Sequence, residues 1–270
     1  MTVELYSERI EGAAGARVVL FLHGILGSGQ NLRTAAKRLV EARPDLSAWL
    51  VDLRGHGRSP KGTPGASIDA CAEDLVALVK GAPLAGVAGH SFGGKVALAL
   101  ATKIPVGDVV SIDSVPGTRA PLRGGDTPLA VLDTVEALPP VLPTKSAFIR
   151  AVSEKHGSAI GQWLALSTEP TEGGVRFALD PGEIRALLAD YFARDDWPVV
   201  ATPPPGARMH LVIGERSISY TPEDRAHAER IASREPRVTV HRLPADHWVH
   251  VDDPEGLHRV LVTEIAGGAS

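Results

Sequence analysis

Short, unbroken apolar runs alternate with stretches at helical spacing through the first two-fifths of the chain, and few architectures accept that pattern. Arg17-Val-Val-Leu-Phe-Leu-His23, Ala48-Trp-Leu-Val-Asp-Leu53, Leu84 to Ala88 and Val106 to Ile112 each read as a strand buried on both faces. Between them, Asn31 to Ala42 sets Leu32, Ala35, Ala36, Leu39 and Val40 at helical spacing, and Pro44 stops the segment. Ser67 is placed to cap a helix over Ile68 to Lys80, and Phe92 to Thr102 forms the next one. No hairpin signal separates the strands, so the connections read as right-handed βαβ crossovers. The expected fold class is α/β, with a mainly parallel central sheet and helices on both faces. The pattern resumes late in the chain, with strands at Met209–Ile213 and Val238–Leu243 and helices at Pro222–Ser233 and Pro254–Ile265.

Residues 116–207 break the rhythm. They hold 12 of the 21 prolines, a residue that central strands exclude, and no buried-strand run occurs among them. Helical patterns recur at Pro128–Leu138, Ser146–His156, Ser158–Ser167 and Pro181–Arg194. The expected organisation is a core made of residues 1–115 and 208–270, with 116–207 inserted as a helical cap over the end of the sheet. Pro203-Pro-Pro-Gly206 marks the return to the core.

Composition narrows the function classes. A net charge of −4, from 28 Lys+Arg against 32 Asp+Glu, offers no general attraction to nucleic acid or anionic membrane, so neither is an expected partner. Cys71 is the single cysteine, which rules out an intrachain disulfide and a cysteine-built zinc site. No apolar run approaches the ~20 residues of a membrane-spanning helix. Acidic residues interrupt the apolar ones from Met1 to Glu11, unlike a signal peptide, and the expected location is cytoplasmic.

Gly89-His-Ser-Phe-Gly93 matches G-x-S-x-G. An incidental serine in a glycine-rich turn would spell the same string. The strand before it and the helix after it supply the context in which a tight turn lifts the Ser91 hydroxyl to the carboxyl edge of a sheet. A serine at its ordinary pKa needs a neighbouring base. Among ten histidines, His247 follows the last core strand and falls at that same edge. His250 is a second choice. His227 and His258 fall within helices, His210 and His241 within strands, and His156 within the insertion.

Four segments in order now carry a resemblance: Leu22-His-Gly-Ile-Leu-Gly-Ser28, Asp52-Leu-Arg-Gly-His-Gly-Arg-Ser59, Gly89-His-Ser-Phe-Gly-Gly-Lys95 and Asp246-His-Trp-Val-His250. The chain resembles the α/β-hydrolase superfamily, and within it the lidded bacterial serine esterases acting on small acyl esters or thioesters. The resemblance implies an oxyanion hole made by the N–H groups of Ile25 and Phe92. It also implies a triad acid, most often after the strand that follows the cap. That loop reads Val212-Ile-Gly-Glu-Arg-Ser-Ile-Ser-Tyr220, with Ile218 where an aspartate is sought and Glu215 too early. Other relatives place the acid one strand after the nucleophile, where Asp113 stands. Asp113 is the preferred acid, Glu215 the alternative, and Asp246 a poorer one.

Trp248, His23 and Trp163 are candidate substrate contacts, with Phe148, Tyr191, Phe192 and Trp197 as further pocket or packing aromatics. His56 and Arg58 are expected to brace their loop, and Cys71 to be core. Arg119 and Arg123 are read as surface cations able to meet an anion. No metal or organic cofactor is implied, and the expected partner is a small-molecule acyl substrate. The same superfamily holds cofactor-free haloperoxidase-like perhydrolases, carbon–carbon bond hydrolases and lyases with a similar triad. A non-catalytic ligand receptor is the reading from another class. The sequence leaves the oligomeric state open.

Overall fold

The computed structural model describes residues 1–61, 65–121 and 127–266. In chain order the first elements are β1 (Ser7–Ile10), β2 (Arg17–Leu22), α1 (Arg33–Ala42), β3 (Leu46–Val51), α2 (Ile68–Val79), β4 (Leu84–His90), α3 (Phe92–Ala101) and β5 (Asp108–Ile112). Next come α4 (Pro128–Glu136), α5 (Lys145–Leu164), β6 (Thr168–Thr171), β7 (Gly174–Phe177), α6 (Pro181–Ala193) and α7 (Trp197–Ala201). The chain closes with β8 (Arg208–Gly214), α8 (Pro222–Ala232), β9 (Val238–Leu243), α9 (Val249–Asp252) and α10 (Pro254–Glu264). Among the described residues no helix is long and apolar enough to cross a membrane.

Seven strands make one sheet in the order β1-β3-β2-β4-β5-β8-β9, and every pairing is parallel except β1 with β3. Both faces are buried, and side-chain alternation divides the core in two. Leu20, Leu22 and Val87 join one cluster with residues of α2, α3 and α8. Val19, Phe21, Ala88 and Val110 join the other, beneath α1 and α10. This is why the strands read as continuous apolar runs rather than as alternating ones.

Three features depart from the sequence expectation. β1 is unannounced because Ser-Glu-Arg-Ile is short, polar and only half-buried at the sheet edge. β3 starts and ends two residues earlier than the run suggests. The insertion is not wholly helical: β6 and β7 pair antiparallel through a turn at Gly173, whose φ is +83°. Their side chains are exposed or half-buried, so no buried-strand signal marks them. The two helices expected at Ser146–His156 and Ser158–Ser167 run on as α5, broken where Gly157 leaves helical geometry at φ +78°, ψ +161°.

Candidate active site

β2 has β3 on one side and β4 on the other, so the chain leaves the carboxyl ends of β2 and β4 in diverging directions. Such a reversal of strand order opens a crevice above the sheet. Ser91 follows β4 into that crevice with φ +50°, ψ −115°, a strained conformation for an L-residue. Its N–H donates to the Ile112 carbonyl at 2.9 Å, and its carbonyl accepts from Gly94 N–H at 2.9 Å. A Cβ on Gly93 would stand 2.5 Å from the Leu22 carbonyl oxygen, and one on Gly89 would collide with the Gly93 carbonyl. The two glycines of the motif are thus the space that lets α3 start directly on β4.

The register brings the next group alongside. His90 pairs with Ile112, and Ile112 with Val212, so Ser91 and Asp113 leave neighbouring strands at one level. Asp113 is fully buried, with φ +44°. Its Oδ1 accepts from Gly214 N–H at 3.1 Å, and its Oδ2 from the Ser217 hydroxyl at 2.5 Å. The same Oδ2 accepts from His247 Nδ1 at 2.7 Å, and Ser219 Oγ stands 3.0 Å from that nitrogen. His247 is held from below as well. His90 Nε2–H donates to the His247 carbonyl at 2.9 Å, and the two rings are 4.8 Å apart. Burial keeps the His90 pKa well below the usual histidine range, so this prop is a neutral imidazole.

The loop after β2 is built from behind. His23 gives Nδ1–H to the Gly24 carbonyl at 2.7 Å and takes Leu53 N–H on Nε2 at 3.0 Å. His56 gives Nδ1–H to the Arg54 carbonyl at 2.9 Å and takes Leu26 N–H at 3.1 Å. Burial lowers the two to about 4 and about 3, respectively, and both work as neutral braces. Asp52 accepts from Gly29 N–H and Arg58 N–H at 2.7 and 2.9 Å. Leu26 is thereby held at φ +65°. Among the described residues, no acceptor engages the N–H of Ile25 or of Phe92.

A cavity of about 220 Å³ lies over these groups. Ser91, His247, Ile25 and Trp248 line it from the core, Ile160 and Trp163 from the insertion. Trp163 and Trp248 meet edge to face at 5.1 Å and form one wall. The structure therefore brings Ser91, His247, Asp113, Ile25, Trp163 and Trp248 together. It corrects the reading of His23 as a substrate contact: the ring is fully buried, spends both nitrogens on main chain and does not line the cavity. Glu215, exposed at the start of its loop, uses its N–H on the Leu243 carbonyl. Asp246 Oδ1 accepts from the main-chain N–H of His247 at 2.8 Å and not from its ring. His250 packs its ring on His90 at 4.9 Å.

Phe148 is stacked on Phe177, and Cys71 is fully buried with its thiol pKa pushed well up. Arg119 donates to the Ser219 carbonyl at 3.1 Å, and Arg123 lies outside the described residues. Ser217, Ser219 and the His90 prop are site residues that sequence reasoning misses. No motif marks them, because they matter only through the tertiary position of Asp113 and His247.

One further buried side chain ties the insertion to the helix that starts at this site. Lys95, one turn beyond Ser91 in α3, is fully buried. Its Nζ donates to the carbonyls of Gly117, Tyr191 and Arg194 at 2.9, 2.7 and 2.7 Å, and lies 4.7 Å over the Tyr191 ring. Desolvation lowers its pKa to about 8, which leaves it charged at neutral pH.

Residues 19–260 match the model of the alpha/beta hydrolase family. The chain is 31% identical over 271 residues to the mouse sn-1-specific diacylglycerol lipase ABHD11, covering 95% of this chain and 83% of that one. Among solved structures, a marine microorganism esterase superposes with TM-score 0.79 at 22% identity, over 97% of this chain and 100% of the other. E-2-(acetamidomethylene)succinate hydrolase does so with TM-score 0.73 at 23% identity, over 97% and 99%. The fold, the family match and relatives named lipase and hydrolase agree: the chain belongs to the alpha/beta hydrolase family and is a hydrolase.

Proposed function

We propose that the protein is a serine hydrolase of small acyl esters or thioesters, acting through Ser91, His247 and Asp113 by way of an acyl-enzyme. The observation that carries this reading is the 2.7 Å bond from His247 Nδ1–H to the buried Asp113 carboxylate, at a cavity that Ser91 shares. That bond holds the hydrogen on Nδ1 and leaves the Nε2 lone pair free to take the Ser91 proton. The serine oxygen then attacks the substrate carbonyl, and the N–H groups of Ile25 and Phe92 receive the charge on its oxygen. His247 returns the proton to the leaving alcohol or thiol. Water, deprotonated by the same ring, attacks the acyl-enzyme, and collapse releases the acid and regenerates Ser91.

The cavity supports a small, uncharged acyl group. Its described lining contains no Lys, Arg, Asp or Glu, and the residues brought by 116–207 are apolar. This is the part a cap plays, covering the reacting bond and selecting the acyl chain. A diacylglycerol ester, the substrate named for the mouse relative, is one member of the ester class to be tried.

A fluorescent fluorophosphonate tests the reading. Wild type is expected to label at one site, and Ser91→Ala not at all; His247→Ala should label at least 100-fold more slowly. Acetyl to butyryl p-nitrophenyl esters should turn over faster than octanoyl or longer ones. Folded wild type that neither labels nor hydrolyses any ester or thioester would falsify the proposal.

A further inference from the structure

On the sheet face covered by α10, β8 and β9 present two imidazoles side by side. The register pairs His210 with Thr239 and Val212 with His241, so His210 and His241 stand two positions apart on adjacent strands. His241 Nε2 is 3.5 Å from His210 Nδ1. α10 crosses this face, and its last residue, Glu264, brings Oε2 to 3.6 Å from the same His210 nitrogen. The three groups can place their ligand atoms all within 4.8 Å of one another.

The second nitrogen of His210 decides what the first can do. His210 is only 2% exposed, and its Nε2–H donates to Asp108 Oδ1 at 3.1 Å. With Nε2–H spent on Asp108, the Nδ1 edge of His210 faces His241 Nε2 and the Glu264 carboxylate together. Asp108 is fixed in turn by Arg208 at 2.7 and 3.0 Å and by the Ala266 N–H at 2.8 Å.

We propose that His210, His241 and Glu264 bind one divalent transition-metal ion of the zinc class. Two imidazoles and a carboxylate are a zinc donor set, with a fourth position left for water. Donors around tetrahedral zinc, with bonds of about 2.0–2.1 Å, stand about 3.3–3.4 Å apart. Two separations here, 3.5 and 3.6 Å, already approach that spacing. Asp108 is the carboxylate behind a ligating imidazole, the partner that fixes ring and tautomer. His241 is half-buried, and the Glu264 side chain, 27% exposed, gives an ion a path from solvent. The ion would tie β8, β9 and α10 together and takes no part in the chemistry at Ser91.

The test is titration of the chelator-treated full chain with Zn²⁺ by isothermal calorimetry, and with Co²⁺ followed in the visible. The expected result is one ion per chain at micromolar or tighter Kd, with the intense bands of four-coordinate Co²⁺. Affinity should fall at least tenfold in His241→Ala and in Glu264→Gln, each checked for folding by circular dichroism, and hold in His247→Ala. Absence of stoichiometric binding overturns the proposal. So does binding that survives both substitutions, or that disappears with His247→Ala instead.

Discussion

Ser91 and Asp113 hold φ of +50° and +44° on adjacent strands, a cost of order 1–3 kcal/mol at each non-glycine residue. Each is pinned by its own N–H to the neighbouring strand, so the sheet sustains the two strained turns that face one another. If Asp113 orients His247, Asp113→Asn lowers kcat about 10³–10⁴-fold while the fold persists. Glu215→Gln is expected within about twofold of wild type. Steady-state rates of the two variants decide the matter, and the opposite ranking would reassign the acid. At this scale the placement of Ser91 and His247 at one cavity was legible, because each lies in a local motif whose strand-end context the sequence also supplies. The carboxylate that meets His247 was legible only as a choice, since Asp113 and Glu215 both follow core strands. What separates them is the sheet register and the exposure of the Glu215 loop, neither of which is local. His23 was misread for a similar reason: nothing within Leu22-His-Gly shows that its ring turns inward to Leu53.

At the scale of elements, the parallel strands were readable because burial on both faces writes an unbroken apolar run. The half-exposed β1, β6 and β7 write nothing comparable. α3 carries the least expected consequence. A lysine in a ten-residue helix is ordinarily a surface residue, yet every residue of α3 is buried, Lys95 included. Its ammonium joins the first part of the insertion, at Gly117, to the last part, at Tyr191 and Arg194. Lys95→Met leaves three carbonyls without that donor, at about 1–3 kcal/mol for each one left unsatisfied. The expected variant melts lower, is cut faster by protease between residues 116 and 194, and shows a larger rise in KM than fall in kcat. Fluorophosphonate still reaches Ser91. A wild-type digestion pattern would show that Lys95 does not hold the insertion.

For the molecule as a whole, desolvation holds four histidines in the neutral form, the buried His23, His56 and His90 and the half-buried His250: His23 and His250 are lowered to about 4, His56 to about 3, and His90 well below the usual range. Desolvation is the leading cause in each. Unfolding returns all four to about 6.5, so the unfolded chain binds more protons throughout the interval below that value. The stabilisation is complete above pH 6.5 and is lost as pH falls toward 4 and then 3. Near pH 5, unfolding is expected to take up about four protons from these rings. Denaturant midpoints measured from pH 7.5 to 5 should fall steadily, and a flat profile would count against their burial as neutral groups. The break in α5 governs something else, the shape of one cavity wall. Gly157 interrupts the helix just ahead of Ile160 and Trp163, the two residues that α5 sets against the cavity. With both ends of the insertion fastened to α3, the aim of Ile160 and Trp163 at the cavity, and with it the contact between the two indoles, rests on the backbone angles of that one glycine.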